Sequence, residues 1–177
     1  MSLRGRLAGS AVHVPTERYL IVSLDSRLFA VSADVVHGLL TMEESESASV
    51  LAVQGEEYPF MDLAGLLGLA HMNDGPETRM VLLAQAGIRG CIRVDLVQGL
   101  MEVERGQVLA LPSQFRSDER NWYVGLILFG QDVAVGLSPM WLMSEAIEAR
   151  RVLAAQGQRQ SQFVQVGSNP ILKRPAC

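Results

Sequence analysis

From Tyr19 the chain changes character and turns apolar, with Leu20, Val22 and Leu24 alternating with Tyr19, Ile21 and Ser23. With the tight turn Asp25-Ser26 and a second run, Leu28 to Val31, the pattern predicts a β-hairpin. Ser32 offers a cap to one helical turn over Ala33-Asp34-Val35, and a strand resumes through Leu39 and Leu40. After a Ser/Glu loop, Glu43 to Ser47, a second hairpin pairs Val50 to Val53 with Tyr58 to Met61 around Gln54-Gly55-Glu56. Asp62 starts a short helix that Gly68 closes, with Leu63, Leu66 and Leu67 expected on its buried side. A polar link, His71 to Thr78, follows.

The same order then returns: Met80 to Ala84, a turn at Ala86-Gly87, Cys91 to Val94, and Leu96 to Val103. A polar excursion from Glu104 to Asn121 precedes a last hairpin, Val124 to Phe129 and Asp132 to Leu137, around Gly130-Gln131. Ser138 and Pro139, a capping hydroxyl followed by proline at the first helical position, open a helix expected to run to about Ala155. Its stripe of Leu142, Ala146, Ala149 and Leu153 makes it amphipathic, with Trp141 and Met140 expected in the core. Residues 1–17 read as a flexible arm and 157–177 as a flexible tail, leaving 18–156 as the folded body.

Two echoes show that this body is duplicated. Asp34-Val35-Val36-His37-Gly38-Leu39-Leu40 aligns with Asp95-Leu96-Val97-Gln98-Gly99-Leu100-Met101, an offset of 95 − 34 = 61. Aligning Gly55 with Gly130 gives a second echo at 130 − 55 = 75. A unit of about five short strands is too small to stabilise itself, whereas two packed copies bury a common face. Short, evenly spaced strands favour small closed barrels, because closure removes exposed edges. One barrel is expected over about 18–70 and the other over about 78–137. Gly38 and Gly99, at equivalent places inside strands, are expected to mark bulges.

Composition narrows the function. The chain of 177 residues is 49% hydrophobic and 19% charged, enough for a core, and its net charge of −4 supplies no basic field for nucleic-acid phosphates. Membrane insertion is not expected, since no apolar run approaches the ~20 residues that span a bilayer, and MSLRGRLAGS lacks a signal-peptide core. A cytoplasmic location follows as an expectation. Cys91 reads as a small buried hydrophobe and Cys177 as a terminal thiol. His13, His37 and His71 have no ligand spacing, so no metal or cofactor is expected. No nucleophile elbow or phosphate loop is present, and the expectation is a protein that is not an enzyme.

The run Tyr19 to Val36, the segment Pro59-Phe-Met-Asp-Leu-Ala-Gly-Leu-Leu-Gly68, Val94 to Val97, and Tyr123 through Leu142 together resemble the CheW-like domain family in order and spacing over roughly residues 18–145. The resemblance implies a mostly β fold, a pair of five-stranded SH3-like barrels with short helices and a C-terminal amphipathic helix. It implies an adaptor that couples a chemoreceptor's cytoplasmic tip to the regulatory domain of a CheA-like histidine kinase. On that resemblance Val36, Val81 and Leu100 line a receptor groove, and Gln54 with Gly55 stands at the turn of the family's asparagine-leucine-arginine-glycine motif. Gln54 replaces the arginine, losing a charge and a fixed fork of donors. An alternative is therefore a divergent scaffold of a non-flagellar chemosensory pathway that binds the kinase but not the usual receptor. A rival of another class, a small-ligand sensor using the inter-barrel groove, predicts a deep pocket with convergent titratable groups.

Overall fold

The structure is a computed structural model, and it describes residues 15–41, 49–70, 75–116 and 118–166, with side chains described as far as Gln156. The Glu43 to Ser47 loop, the start of the His71 link, His13 and Cys177 lie outside the described residues. Ten strands form: β1 (Thr16–Leu24), β2 (Arg27–Ser32), β3 (Val36–Thr41), β4 (Val50–Val53), β5 (Glu56–Met61), β6 (Arg79–Gln85), β7 (Ile88–Val94), β8 (Leu96–Glu104), β9 (Tyr123–Phe129) and β10 (Asp132–Leu137). Two helices, α1 (Leu63–Leu66) and α2 (Pro139–Val166), follow β5 and β10. β1 thus takes in Thr16 and Glu17, which the sequence pattern assigned to the arm; both side chains are tied to the β8 end of the sheet, Thr16 to Glu102 and Glu17 to Arg105.

The strands sort into two five-stranded sheets with orders β8-β1-β2-β10-β9 and β3-β6-β7-β5-β4. A division by position, 18–70 for one barrel and 78–137 for the other, is therefore corrected: the β1–β2 hairpin joins strands of the second half, and β6–β7 joins strands of the first. The physical reason lies in their faces. The centres of β2 and β7 are buried on both faces, Phe29-Ala30-Val31 in one and Gly90-Cys91-Ile92 in the other, as suits interior strands with a neighbour on either edge. They obtain one by pairing parallel to β10 and β5 of the opposite half, Val135 beside Phe29 and Phe60 beside Cys91.

The duplication survives the exchange. Leu24 pairs with Arg27 and Gln85 with Ile88, so both hairpins repeat at 61 (85 − 24 and 88 − 27). Both hairpins turn through two left-handed residues, Asp25-Ser26 and Ala86-Gly87, as in a type I′ turn. Register slips between Ile21 and Val22 opposite Gly99 and Val97, and again between Val36 and Gly38 opposite Leu83 and Leu82. His37 and Gln98 are thus the extra residues of two equivalent bulges, as expected beside Gly38 and Gly99. In the second echo Val53 pairs with Glu56 and Phe129 with Asp132, which sets the offset at 76 (129 − 53 and 132 − 56) rather than 75. That one-residue correction places Asp62, whose carboxylate accepts from the Gly65 amide, on Ser138, whose hydroxyl accepts from the Trp141 amide.

Each sheet wraps a small core of its own, Tyr19, Ile21, Ala30, Val103, Ile127 and Ala134 in one, Leu51, Tyr58, Met80, Leu82 and Cys91 in the other. The opposite faces of β1, β2, β6 and β7 meet in a third and larger cluster, where Val22, Val31, Leu83 and Ile92 have no exposed surface. This shared core explains how two copies of a marginal unit become stable. Leu142 and Ala146 of α2 close it at one end, and Trp141 stacks on Trp122 with ring centroids 5.5 Å apart.

Three expectations about the helices are corrected. Met140 is 83% exposed, because the turn that buries Trp141 points its neighbour outward. Leu66 is exposed at the end of a helix of only four residues. α2 continues to Val166 rather than stopping near Ala155: no proline follows Pro139 until Pro170, and a lone Gly157 costs only about 1 kcal/mol in a helix.

Candidate functional site: an apolar face between the barrels

β3 and β8 are equivalent edge strands, one per sheet, each paired on a single side. Residues opposite one another in an antiparallel pair share a face. Leu39 lies opposite Val81 and Leu100 opposite Leu20, and both partners belong to the shared core. Leu39 and Leu100 therefore stand on the inter-barrel face, 44% and 60% exposed, related by the same offset of 100 − 39 = 61. Val36 and Val97, again 61 apart, pack half-buried against the shared core below them. The result is a duplicated apolar edge, with an exposed leucine over a half-buried valine on each side.

Of the residues singled out from the sequence, Leu100 is the exposed one on the β8 side of this face and Val36 lies at half depth on the β3 side. Val81 is fully buried and so forms the floor. Leu39, which the family resemblance did not single out, was legible in the repeat as the counterpart of Leu100. Gln54 and Gly55 lie elsewhere, exposed at the tip of the β4–β5 hairpin at the other end of the sheet order. Both take left-handed φ values, 52° and 82°, so the position suits glycine better than glutamine.

Polar groups border the face rather than enter it. The exposed His37 stacks on Tyr58 at 5.9 Å and its Nδ1 shares a hydrogen bond with the Tyr58 hydroxyl, which fixes the β3 bulge. At the far end of β1 the Tyr19 hydroxyl donates to Glu17 at 2.6 Å and Arg105 Nε donates to the other carboxylate oxygen at 2.9 Å. The hydrogen bond from Tyr19, then that from Arg105, holds the Glu17 carboxyl below its ordinary value, while burial and that same bond push the Tyr19 phenol up. Burial alone pushes the Cys91 thiol up to about 12.

Because the folded-state value of Glu17 is depressed, its contribution is present above the ordinary glutamate range and lost as pH falls through the folded value. Glu17→Gln is expected to lower Tm at pH 7 by under about 4 °C and to flatten the fall of Tm below about pH 5, as read by thermal melts across pH. An unchanged acid limb would remove Glu17 from the account.

A cleft of about 670 Å³ opens on the β2–β10 side, walled by Phe29, Phe115, Tyr123, Phe129 and Val135. Its charged groups, Arg27 and Asp132, are exposed at the rim, and no histidine or cysteine lines it. Among the described residues no three histidine, cysteine or carboxylate side chains come together as a metal site. No described helix is long and apolar enough to cross a membrane.

A profile of the CheW-like domain matches residues 18–146. The chain belongs to the CheW-like domain family. Fifteen chains of solved structures match this chain. Among them is the scaffolding protein TtCheW from Thermoanaerobacter tengcongensis, with a TM-score of 0.58 and 14% identity over 73% of this chain and 89% of that one. At that identity the likeness establishes the fold, a mostly β pair of SH3-like barrels. No curated protein matches significantly by sequence. The CheW-like match ends within α2, so the last turns of that helix, from residue 147 to Val166, extend beyond the family's common body.

Proposed function

We propose that this CheW-like chain is a non-enzymatic adaptor of a chemotaxis-type pathway, acting in the cytoplasm by surface contact. The inter-barrel face receives a helical hairpin from the cytoplasmic tip of a chemoreceptor. A barrel surface pairs with a homologous barrel in the regulatory domain of a CheA-like histidine kinase. The observation that carries the reading is the symmetric exposure of Leu39 and Leu100 above the shared core: an apolar ledge on each of two edge strands offers a helix two parallel lines of contact. Apolar burial at about 25 cal/mol per Å² supplies most of the attraction before the costs of association, and the bordering polar groups set specificity.

Gln54 favours one variant of the same role. Exposed at a hairpin tip where the family resemblance implies an arginine, it offers an amide in place of a fork of charged donors. A scaffold that keeps the kinase and has changed its receptor would bear this substitution. Titrating the folded chain separately with a receptor-tip fragment and with the kinase regulatory domain tests both forms. Binding to both supports the adaptor, binding to the kinase alone supports the variant, and binding to neither removes both.

A further inference from the structure

The offsets of 61 and 76 give every strand of one barrel a counterpart in the other, yet α2 has only a fragment as its counterpart. Asp62 matches the cap Ser138 (138 − 62 = 76), and α1 matches the first turn of α2, but Gly68 at φ 66° ends it where α2 runs on. Past that turn α2 lies over Ile88, Arg89 and Gly90, with Ala146 so close that a Cβ on Gly90 would meet its Cβ at 2.9 Å. Subtracting 61 from those three positions gives Arg27, Leu28 and Phe29, and all three line the 670 Å³ cleft. Leu67 and Leu69, just after α1, line it as well. The cleft therefore lies where a longer α1 would run.

Its chemistry differs from that of the occupied seat in two ways that specify what fits. Phe29 stands where Gly90 lets α2 approach, so the floor is higher and an incoming helix must present a small residue there. Arg27 stands where Ile88 does, and Ile88 lies beside Arg150 and Arg151 of α2. In the cleft those two arginines would face a third. Arg27 forms no ion pair among the described residues and is exposed. Among the described residues nothing occupies this seat, and its charged rim is Arg27 together with Asp132, so it suits a helix that turns a carboxylate to Arg27 and keeps carboxylates away from Asp132, which α2's own arginine pair does not do.

We infer that the β2–β10 cleft is a seat for an amphipathic helix of a partner protein, with a small residue toward Phe29 and acidic residues toward Arg27. Leu39 and Leu100 take no part in it, so the inference stands apart from the receptor reading.

The test is a helix-stapled peptide of residues 139–156 carrying Arg150→Glu and Arg151→Glu, titrated into the full-length chain and followed by amide NMR. Saturable shifts at Phe29, Leu67, Leu69 and Val133 are expected. Binding should weaken about ten-fold or more with the unmodified peptide, with Arg27→Glu, and with Val133→Lys, whose side chain is 47% exposed in the folded protein. No saturable shift at millimolar peptide overturns the inference. So do shifts centred on Gly90 and Ala146, which would mean that the peptide displaces α2 from its own seat. Self-association of the chain that Val133→Lys abolishes would make a second copy the occupant and overturn it equally.

Discussion

Aspartate at both Leu39 and Leu100 is expected to reduce binding of a receptor-tip helix by at least about 100-fold while leaving the fold in place. Both side chains are substantially exposed on edge strands, so the free protein gives up little packing, and a polar residue at a strand edge costs under about 1 kcal/mol each. In the complex the situation reverses: a short carboxylate between a helix and the shared core is desolvated with no partner and cannot reach past the contact to water. Titration calorimetry with the fragment, beside a thermal melt of the double variant, reads both effects. Leu128→Asp, on an exposed residue of the opposite edge strand β9, is the control and should bind like the parent. Equal binding by parent and double variant would remove the inter-barrel face as the receptor site.

Gly90→Val is expected to be the most damaging single substitution available to an aliphatic side chain in the β7 strand. The first added carbon already falls 2.9 Å from Ala146 Cβ and 3.0 Å from Met61 Cε, and valine adds two more. Met61 can shift its flexible end, but Ala146 is held by the α2 backbone, so the helix must lift from the sheet. Overpacking of this kind costs about 1–3 kcal/mol, a fall in Tm of roughly 2–12 °C in a chain of this size. Ala146→Gly should return part of the loss in the double variant, which shows that the two positions are coupled rather than independently damaging. Gly106→Ala, where an added carbon meets nothing, should leave Tm unchanged. An undisturbed melt for Gly90→Val would mean that α2 is not seated on β7 as described.

Strand existence and turn positions were legible because alternation and punctuation are local. Leu20, Val22 and Leu24 fall on one face and Tyr19 and Ile21 on the other, Asp25-Ser26 turns, and the pairing of Leu24 with Arg27 follows. What was not legible was which sheet a hairpin joins. The β1–β2 hairpin pairs on one side with β8 and on the other with β10, residues far along the chain, and nothing within Tyr19 to Val31 records that choice. The repeat did record it indirectly, since equal offsets are preserved through the exchange. Its second echo slipped by one because Gly55 and Gly130 occupy different places of their two-residue turns, second in one and first in the other. Glycine serves either place, so aligning glycines misplaces the register.

The apolar inter-barrel face was partly legible for the same reason. Leu100 and Val36 came from family resemblance, whereas Leu39 needed the duplication, and Val81 turned out to lie under the surface because β6 is interior to its sheet. The cleft was not legible at all. It arises from a helix that stops early after Asp62 where its counterpart after Ser138 continues, and only the packed arrangement shows that among the described residues no helix takes the corresponding seat.

If contact surfaces rather than reactive groups perform the task, the folded chain must form a complex with the regulatory domain of a CheA-like kinase encoded in the same genome. Sedimentation velocity on the mixture is the measurement. The account predicts a single faster boundary of equimolar composition at micromolar concentrations, with the chain's far-ultraviolet circular dichroism unchanged. Two boundaries moving at the rates of the separate proteins, with both shown to be folded, would contradict it.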